Sequence, residues 1–255
     1  MTVVLVHGNP ETAAVWGPLL TELGHQGYRD VVCLSPPGFG AVLPAGFGAT
    51  VTEYREWLIG ELEGFGGPVD LVGHDWGGGH VLGAVMARPE LVSSWASDVV
   101  GIFDPDYIWH DLAQQWQTPT VGEQAVAAQF GGPLPDRVER LVGRGITRPV
   151  AEQIAVGQDE AMGRAVLALY RSADQPVLAD LGRGLGVAAQ RPGLALLATQ
   201  DYMVGTDEQR RRAAARAGAR VEVFDGLGHW WMVQDPVRAA HVLTTFWANT
   251  PHPTS

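Results

Sequence analysis

Five residues, Gly73-His74-Asp75-Trp76-Gly77, set a carboxylate on a glycine-flanked turn. The apolar run Val69–Val72 leads into it and the small-residue stretch Gly77–Met86 leads away. Strand, tight turn and helix in that order make an elbow that holds one side chain out at the top of a sheet. Glycines two residues either side of the centre let the backbone turn sharply without a Cβ clash. The free N–H groups at the start of the following helix favour negative charge at the central position. An ionised aspartate there cannot form the acyl-enzyme of a serine nucleophile, but its oxygen can attack a saturated carbon and form an alkyl ester. The simpler role for Asp75 is an N-cap of the next helix, which explains the turn and nothing else in the chain.

Three further segments extend the chemistry. Gly226-Leu227-Gly228-His229-Trp230-Trp231 puts a histidine on a glycine-flanked loop late in the chain, where a general base is expected. His25 and His241 read as helix-surface residues, His252 lies in the tail and His74 merely flanks the elbow. Thr199-Gln200-Asp201 follows another strand-like run and brings a carboxylate to the same sheet edge as His229, able to hold the imidazole in its useful tautomer. Asp104 is the second choice for this acid. His7-Gly8-Asn9-Pro10 follows the first apolar run, where a backbone N–H from Asn9 and another from Trp76 could face developing negative charge. A plain Asn-Pro turn is the alternative for that loop.

The elements that must position these groups alternate along the chain. Strands are expected at Val3–Val6, Asp30–Leu34, Val69–Val72, Ser94–Phe103, Leu194–Ala198 and Val221–Phe224. Helices are expected near Ala13–Leu23, Val51–Gly64, Gly78–Ala87, Asp207–Ala217 and Pro236–Trp247. Such alternation marks an α/β fold with a mainly parallel, helix-covered sheet. It breaks between 104 and 188, where the pattern is helical around Trp109, Trp116, Leu141, Ile154 and Tyr170. The reading is therefore a core of 1–103 and 189–255, with 104–188 as a helical cap over the strand ends, where open α/β sheets bind ligands.

Composition narrows the partners. With 46 % hydrophobic and 18 % charged residues among 255, the chain can build a large core. A net charge of −11 argues against nucleic acid or an anionic membrane surface. Cys33, the one cysteine, sits in an apolar run and permits neither a disulfide nor a cysteine-based zinc site. The N-terminus enters a strand at once, without signal-peptide character, and no run reaches transmembrane length, so a cytoplasmic location is expected.

Nucleophile, acid and base in the order Asp75, Asp201, His229 follow the chain order of α/β-hydrolases. Through the Gly73–Gly78 elbow and the Gly228-His229…Gln234-Asp235-Pro236 segment the sequence resembles the aspartate-nucleophile branch that contains epoxide hydrolases and haloalkane dehalogenases. The resemblance spans nearly the whole chain, although the chain starts at what is usually the third strand of that fold, so the first two strands are expected to be missing. It implies that Asp75 forms an alkyl ester and that His229, oriented by Asp201, activates the water that hydrolyses it. Neither a metal nor an organic cofactor is needed, and a small apolar substrate is expected. For leaving-group stabilisation it implies two alternatives. Asn9 and Trp76 match a dehalogenase halide pair. Tyr107 and Tyr170, the latter in Leu169-Tyr170-Arg171, match the two ring-opening acids of epoxide hydrolases. His7, Trp109, His110 and Trp230 are expected to line the pocket, and Trp109-His110 resembles part of a step in fluoroacetate dehalogenases, with Asp111 in place of the second Trp. An epoxide hydrolase acting on a small or medium apolar epoxide is the leading expectation. A haloalkane or haloacid dehalogenase is the alternative, and a non-catalytic ligand-binding homologue the third.

Overall fold

The computed structural model describes residues 2–250; the tail 251–255, with His252, lies outside the described residues. Six strands, β1 (Val3–Val6), β2 (Val31–Leu34), β3 (Val69–Gly73), β4 (Val92–Ser97), β5 (Gly193–Ala198) and β6 (Ala219–Phe224), form one parallel sheet in the order β2-β1-β3-β4-β5-β6. Their side chains alternate between two helical layers. Val4, Val6 and Leu71 pack with Tyr54, Leu58, Val81 and Ala213 on one face. Val3, Leu5 and Val72 pack with Leu19, Leu23, Leu243 and Phe246 on the other. Each such Leu or Phe removed from water contributes about 1.5–3 kcal/mol, so both layers are firmly attached.

The layers are built from α1 (Gly17–His25), α2 (Val51–Glu63) and α3 (Trp76–Ala87), then α10 (Asp207–Arg216), α11 (Trp231–Gln234) and α12 (Pro236–Ala248). Between β4 and β5 come α4 (Asp111–Gln117), α5 (Val121–Phe130), α6 (Leu134–Gly143), α7 (Arg148–Gly157), α8 (Glu160–Ser172) and α9 (Val177–Gly182), followed by a 3-10 run, Arg183–Gln190. Local capping chemistry fixes several starts. Thr50 and Glu53 form a capping box on α2, Thr206 and Gln209 do so on α10, and Asp159 caps α8.

Two expectations change. The strand expected over Ser94–Phe103 ends at Ser97 and gives way to a 3-10 turn, Val100–Phe103. Val99, Val100, Ile102 and Phe103 are buried all the same, which is why their hydrophobicity reads as strand. The chain leaves the sheet at Asp98, whose carboxylate accepts bonds from the end of β3. The first expected helix divides into a 3-10 turn, Ala13–Trp16, and α1, with Pro18 in the first turn of α1. Among the described residues no helix is long and apolar enough to cross a membrane.

β1 leads toward β2 on one side and β3 toward β4 on the other, so strand order reverses between β1 and β3. Val6 pairs with Gly73 at their carboxyl ends, and the loops beginning at His7 and His74 leave the sheet side by side. That reversal point is where parallel sheets open a crevice for ligands.

Candidate active site

Asp75 occupies the elbow with φ +50° and ψ −132°, a conformation L residues rarely adopt, and α3 starts at the next residue. Such a backbone costs about 1–3 kcal/mol and persists only where its surroundings enforce it. Two glycines supply that enforcement by close approach. A Cβ on Gly77 would lie 2.1 Å from the carbonyl oxygen of Val6, and one on Gly8 would lie 2.3 Å from Asp75 Oδ2. β1 and the elbow can therefore touch only if both positions lack side chains. The approach lets the Asn9 backbone N–H donate to Asp75 Oδ2 at 2.9 Å.

His229 and Asp201 arrive from the carboxyl ends of β6 and β5, which are level because Phe224 pairs with Ala198. His229 Nδ1 donates to Asp201 Oδ2 at 2.8 Å, and Nε2 faces Asp75 Oδ1 at 3.6 Å. Asp201 Oδ1 accepts the Met203 backbone N–H at 2.9 Å. Burial alone would depress the imidazole, but the charge of Asp201 and its hydrogen bond, with Asp75 behind, lift His229 to about 9. Burial pushes Asp75 up to about 6 against the pull of His229 and His74. Burial also works against ionisation of Asp201, yet its bond to His229 leaves it below the usual carboxylate range. The free site at neutral pH is thus an ionised Asp75 beside an imidazolium. Asp104, the second choice, is held by Arg212 at 2.8 Å through both oxygens and makes no contact with His229.

His74, which in sequence only flanks the elbow, is the centre of a buried charge network. Its Nδ1 donates to Asp98 Oδ2 at 2.5 Å and its Nε2 to Glu11 Oε1 at 3.1 Å. Burial opposes the charge, but Glu11 and Asp98 raise His74 well above the ordinary histidine value, so it is an imidazolium. Asp98 Oδ1 accepts the backbone N–H of Asp75 at 3.0 Å, and Oδ2 also accepts the Trp231 indole N–H at 2.7 Å. The Trp230 indole N–H donates to Glu11. Asp98 thereby ties the strained elbow to α11, and Glu11 ties the Asn9 loop to His74. The local signals were an acid inside the run expected as strand Ser94–Phe103 and another two residues after Asn9, and neither names its partner.

The helical block closes the site. A cavity of about 270 Å³ lies between Asn9, Asp75, Met203, His229 and Trp230 on the sheet side and His110, Leu112, Trp116, Arg144 and Tyr170 from the block. Trp76 and Tyr107 line a recess beside it with Trp109 and Tyr170. The Tyr170 hydroxyl lies beside the side chains of Trp76 and Asn9, although burial and the charge of Asp75 still raise it well above the ordinary tyrosine value. The Tyr107 hydroxyl donates to the Met203 carbonyl at 2.8 Å. The Trp109 indole donates to the Ala173 carbonyl and its ring packs at a tilt against those of Trp76 and Tyr170. His110 caps α4 by accepting the Ala113 N–H on Nδ1, and burial lowers it to about 4. His7, expected in the pocket, instead sits wholly buried behind the loop, with Nδ1 donating to the Gly8 carbonyl and Nε2 beside the Ser35 hydroxyl. A second cavity of about 280 Å³, behind Trp76 and lined by Arg55, His80 and Phe103, does not include Asp75.

Glu11, His74 and His229 are the described group whose geometry comes nearest to a metal site, with ligand atoms within 4.8 Å of one another. Both His74 nitrogens donate to carboxylates and His229 Nδ1 donates to Asp201, so the group is already satisfied by protons.

Parallel sheet, elbow and an acid–base pair at the strand ends define a hydrolase-type site. The family model for the alpha/beta hydrolase family matches residues 3–242, and the chain belongs to that family. Among solved structures, the chain is similar to a haloalkane dehalogenase from Bradyrhizobium elkani, at 20 % identity and a TM-score of 0.69, over 97 % of this chain and 91 % of that one. It is similar to an esterase from Thermogutta terrifontis at 18 % identity and a TM-score of 0.71, over 98 % and 90 %. It is similar to an E-2-(acetamidomethylene)succinate hydrolase at 16 % identity and a TM-score of 0.68, over 97 % and 91 %. At these identities the likeness is one of fold. No curated protein matches the sequence.

Proposed function

We propose that the protein hydrolyses a bond between a saturated carbon and a leaving anion, foremost a carbon–halogen bond, through an alkyl ester on Asp75. The observation that carries the choice of leaving group is the Asn9 side chain. Its amide is buried with neither Nδ2 nor Oδ1 hydrogen-bonded, while its backbone N–H is already given to Asp75. A buried amide donor without a partner costs about 1–3 kcal/mol, a penalty removed when an acceptor arrives. Asn9 and Tyr170 line the cavity with Asp75, Trp76 lines the adjoining recess, and the Tyr170 hydroxyl lies beside the Trp76 and Asn9 side chains, which supports assigning these three donors to the departing halide.

In the first half-reaction an Asp75 carboxylate oxygen bonds to carbon as the carbon–halogen bond breaks, its electron pair leaving with the halide. In the second, His229 Nε2 takes a proton from water and the hydroxide attacks the Asp75 carboxyl carbon. The Asn9 N–H stabilises the oxyanion. Collapse releases the alcohol and restores Asp75, and the proton passes from His229 to solvent. Esterification neutralises Asp75, which removes one of the charges holding His229 protonated and so prepares it to act as base.

Epoxide opening is the second reading, supported by Tyr170 as a proton donor for the alkoxide. The engagement of Tyr107 with Met203 leaves that reading one acid where two were expected. A panel of bromo- and chloroalkanes assayed for halide, alongside matched epoxides assayed for diol, separates the two. Halide release with little diol is expected; diol formation alone would reverse the order of the readings.

A further inference from the structure

Arg144, at the carboxyl end of α6, lines the same cavity as Asp75 and His229. Its neighbours in the block are all engaged. Arg137 donates to the Gln158 carbonyl, Arg140 to the Gly131 carbonyl, and Arg148 pairs with Glu139. The Arg144 guanidinium has no ion pair or hydrogen bond among the described residues, and the neighbouring charge that acts on it is that of Arg140, of the same sign. A helix end favours a cation, but Arg140 already meets that need. An unpaired, half-buried guanidinium carries a desolvation cost that an anion relieves.

The surroundings say which anion. Leu112, Trp116 and Met203 give the cavity apolar walls, and Asp75 and Asp201 are committed to each other through His229. His110 lines the same cavity, where its imidazole feels the Arg144 charge, and with Nδ1 accepting from Ala113 its Nε2–H remains a neutral donor. Asp111, whose charge would repel an anion, is exposed on the outside of α4. The chain's net charge of −11 supplies no broad positive field for a polyanion. One guanidinium fork with one neutral donor fits a single planar carboxylate, which it can bind bidentately.

We propose that Arg144, with His110, binds the carboxylate of the substrate, so that the substrate is an aliphatic acid whose electrophilic carbon, bearing halide or epoxide, reaches Asp75 at the other end of the cavity. This rests on the reading of Asp75 as nucleophile. It replaces a wholly apolar substrate with one apolar in the middle and anionic at one end.

The test pairs binding with adduct formation. Acetate, butyrate and hexanoate, each against its amide, are titrated calorimetrically into the intact wild-type protein, Arg144→Met and Arg144→Lys. At least one carboxylate is expected to bind in preference to its amide. Arg144→Met should weaken it about ten- to hundredfold, as loss of a charge-assisted bond would, with partial recovery in Arg144→Lys. His229→Gln, with and without Arg144→Met, is then exposed to ω-bromoalkanoates of graded length and their amides, and the mass of the protein is read. Adducts forming equally on acids and amides and unchanged by Arg144→Met would overturn the carboxylate site while leaving Asp75 as nucleophile. Carboxylate binding that depends on Arg144, with no adduct from any compound, would keep the site and overturn the Asp75 reading. Absence of any preference for carboxylate over amide in either measurement overturns the proposal outright.

Discussion

Asp75→Asn should make the protein more stable while abolishing turnover, because the ionised nucleophile is held in a place that disfavours its charge. Burial lifts Asp75 from 3.8 to about 6 despite the opposing pull of His229. Each pKa unit corresponds to about 1.4 kcal/mol, so ionising Asp75 in the fold costs about 3 kcal/mol relative to the unfolded chain. The sign follows from the raised folded value. Below the unfolded value of 3.8 Asp75 is neutral in both states and the cost is absent; it grows between 3.8 and about 6 and is complete above. Asn keeps the acceptor for the Asn9 N–H, and Asn tolerates positive φ better than most residues, so the backbone of the elbow is preserved. Urea and thermal unfolding of both proteins near pH 8 should show a gain of about 3 kcal/mol, or roughly 6–12 °C for a chain of this size. Near pH 5 the gain should shrink. A variant no more stable than wild type near pH 8, or a gain independent of pH, would refute the reasoning.

Three other outcomes follow from the same geometry. In rapid-mixing experiments the alkylation phase should rise with pH through about 6 and then level, since it needs ionised Asp75, while ester hydrolysis should rise to a limit below about 9, since it needs neutral His229. Tyr170→Phe should slow alkylation about 10- to 100-fold through loss of one donor. Tyr107→Phe should leave it within a few-fold and lower stability by about 1 kcal/mol, read by urea unfolding; equal kinetic losses would mean that both hydroxyls act on the leaving group. Asp98→Asn strips the His74 imidazolium of one of its two carboxylate partners, which should cost about 3–5 kcal/mol. A loss below about 1 kcal/mol would show that His74 is neutral.

The elbow was legible because its chemistry is local: Gly73, Asp75 and Gly77 lie within five residues, and a strand and a helix flank them. Asp201 and His229 were legible as loop residues after strands, and the structure sets them 2.8 Å apart. The network around His74 was not, because Glu11 lies 63 residues away and Asp98 24. Only the pairing of β1, β3 and β4 brings them together. The end of β4 was hidden for a related reason, since burial of Val99 to Phe103 looks the same in a strand and in a packed 3-10 turn. Tyr170 had the better signal in sequence, from Leu169-Tyr170-Arg171, while the neighbours of Tyr107 left its register open, and the bond to the Met203 carbonyl sets Tyr107 further apart. Arg144 carried no signal at all, as an unpaired arginine is recognised only when every possible partner has been located.

The central claim is a covalent bond between substrate and Asp75. His229→Gln removes the base for ester hydrolysis and should trap that bond. The variant is mixed with neutral and carboxylate-terminated bromoalkanes and epoxides, digested and mapped by mass spectrometry. One alkyl adduct is expected, on the peptide carrying Asp75 and absent when Asp75→Asn is added. An unmodified Asp75 with every electrophile, or an adduct that survives Asp75→Asn, would contradict it.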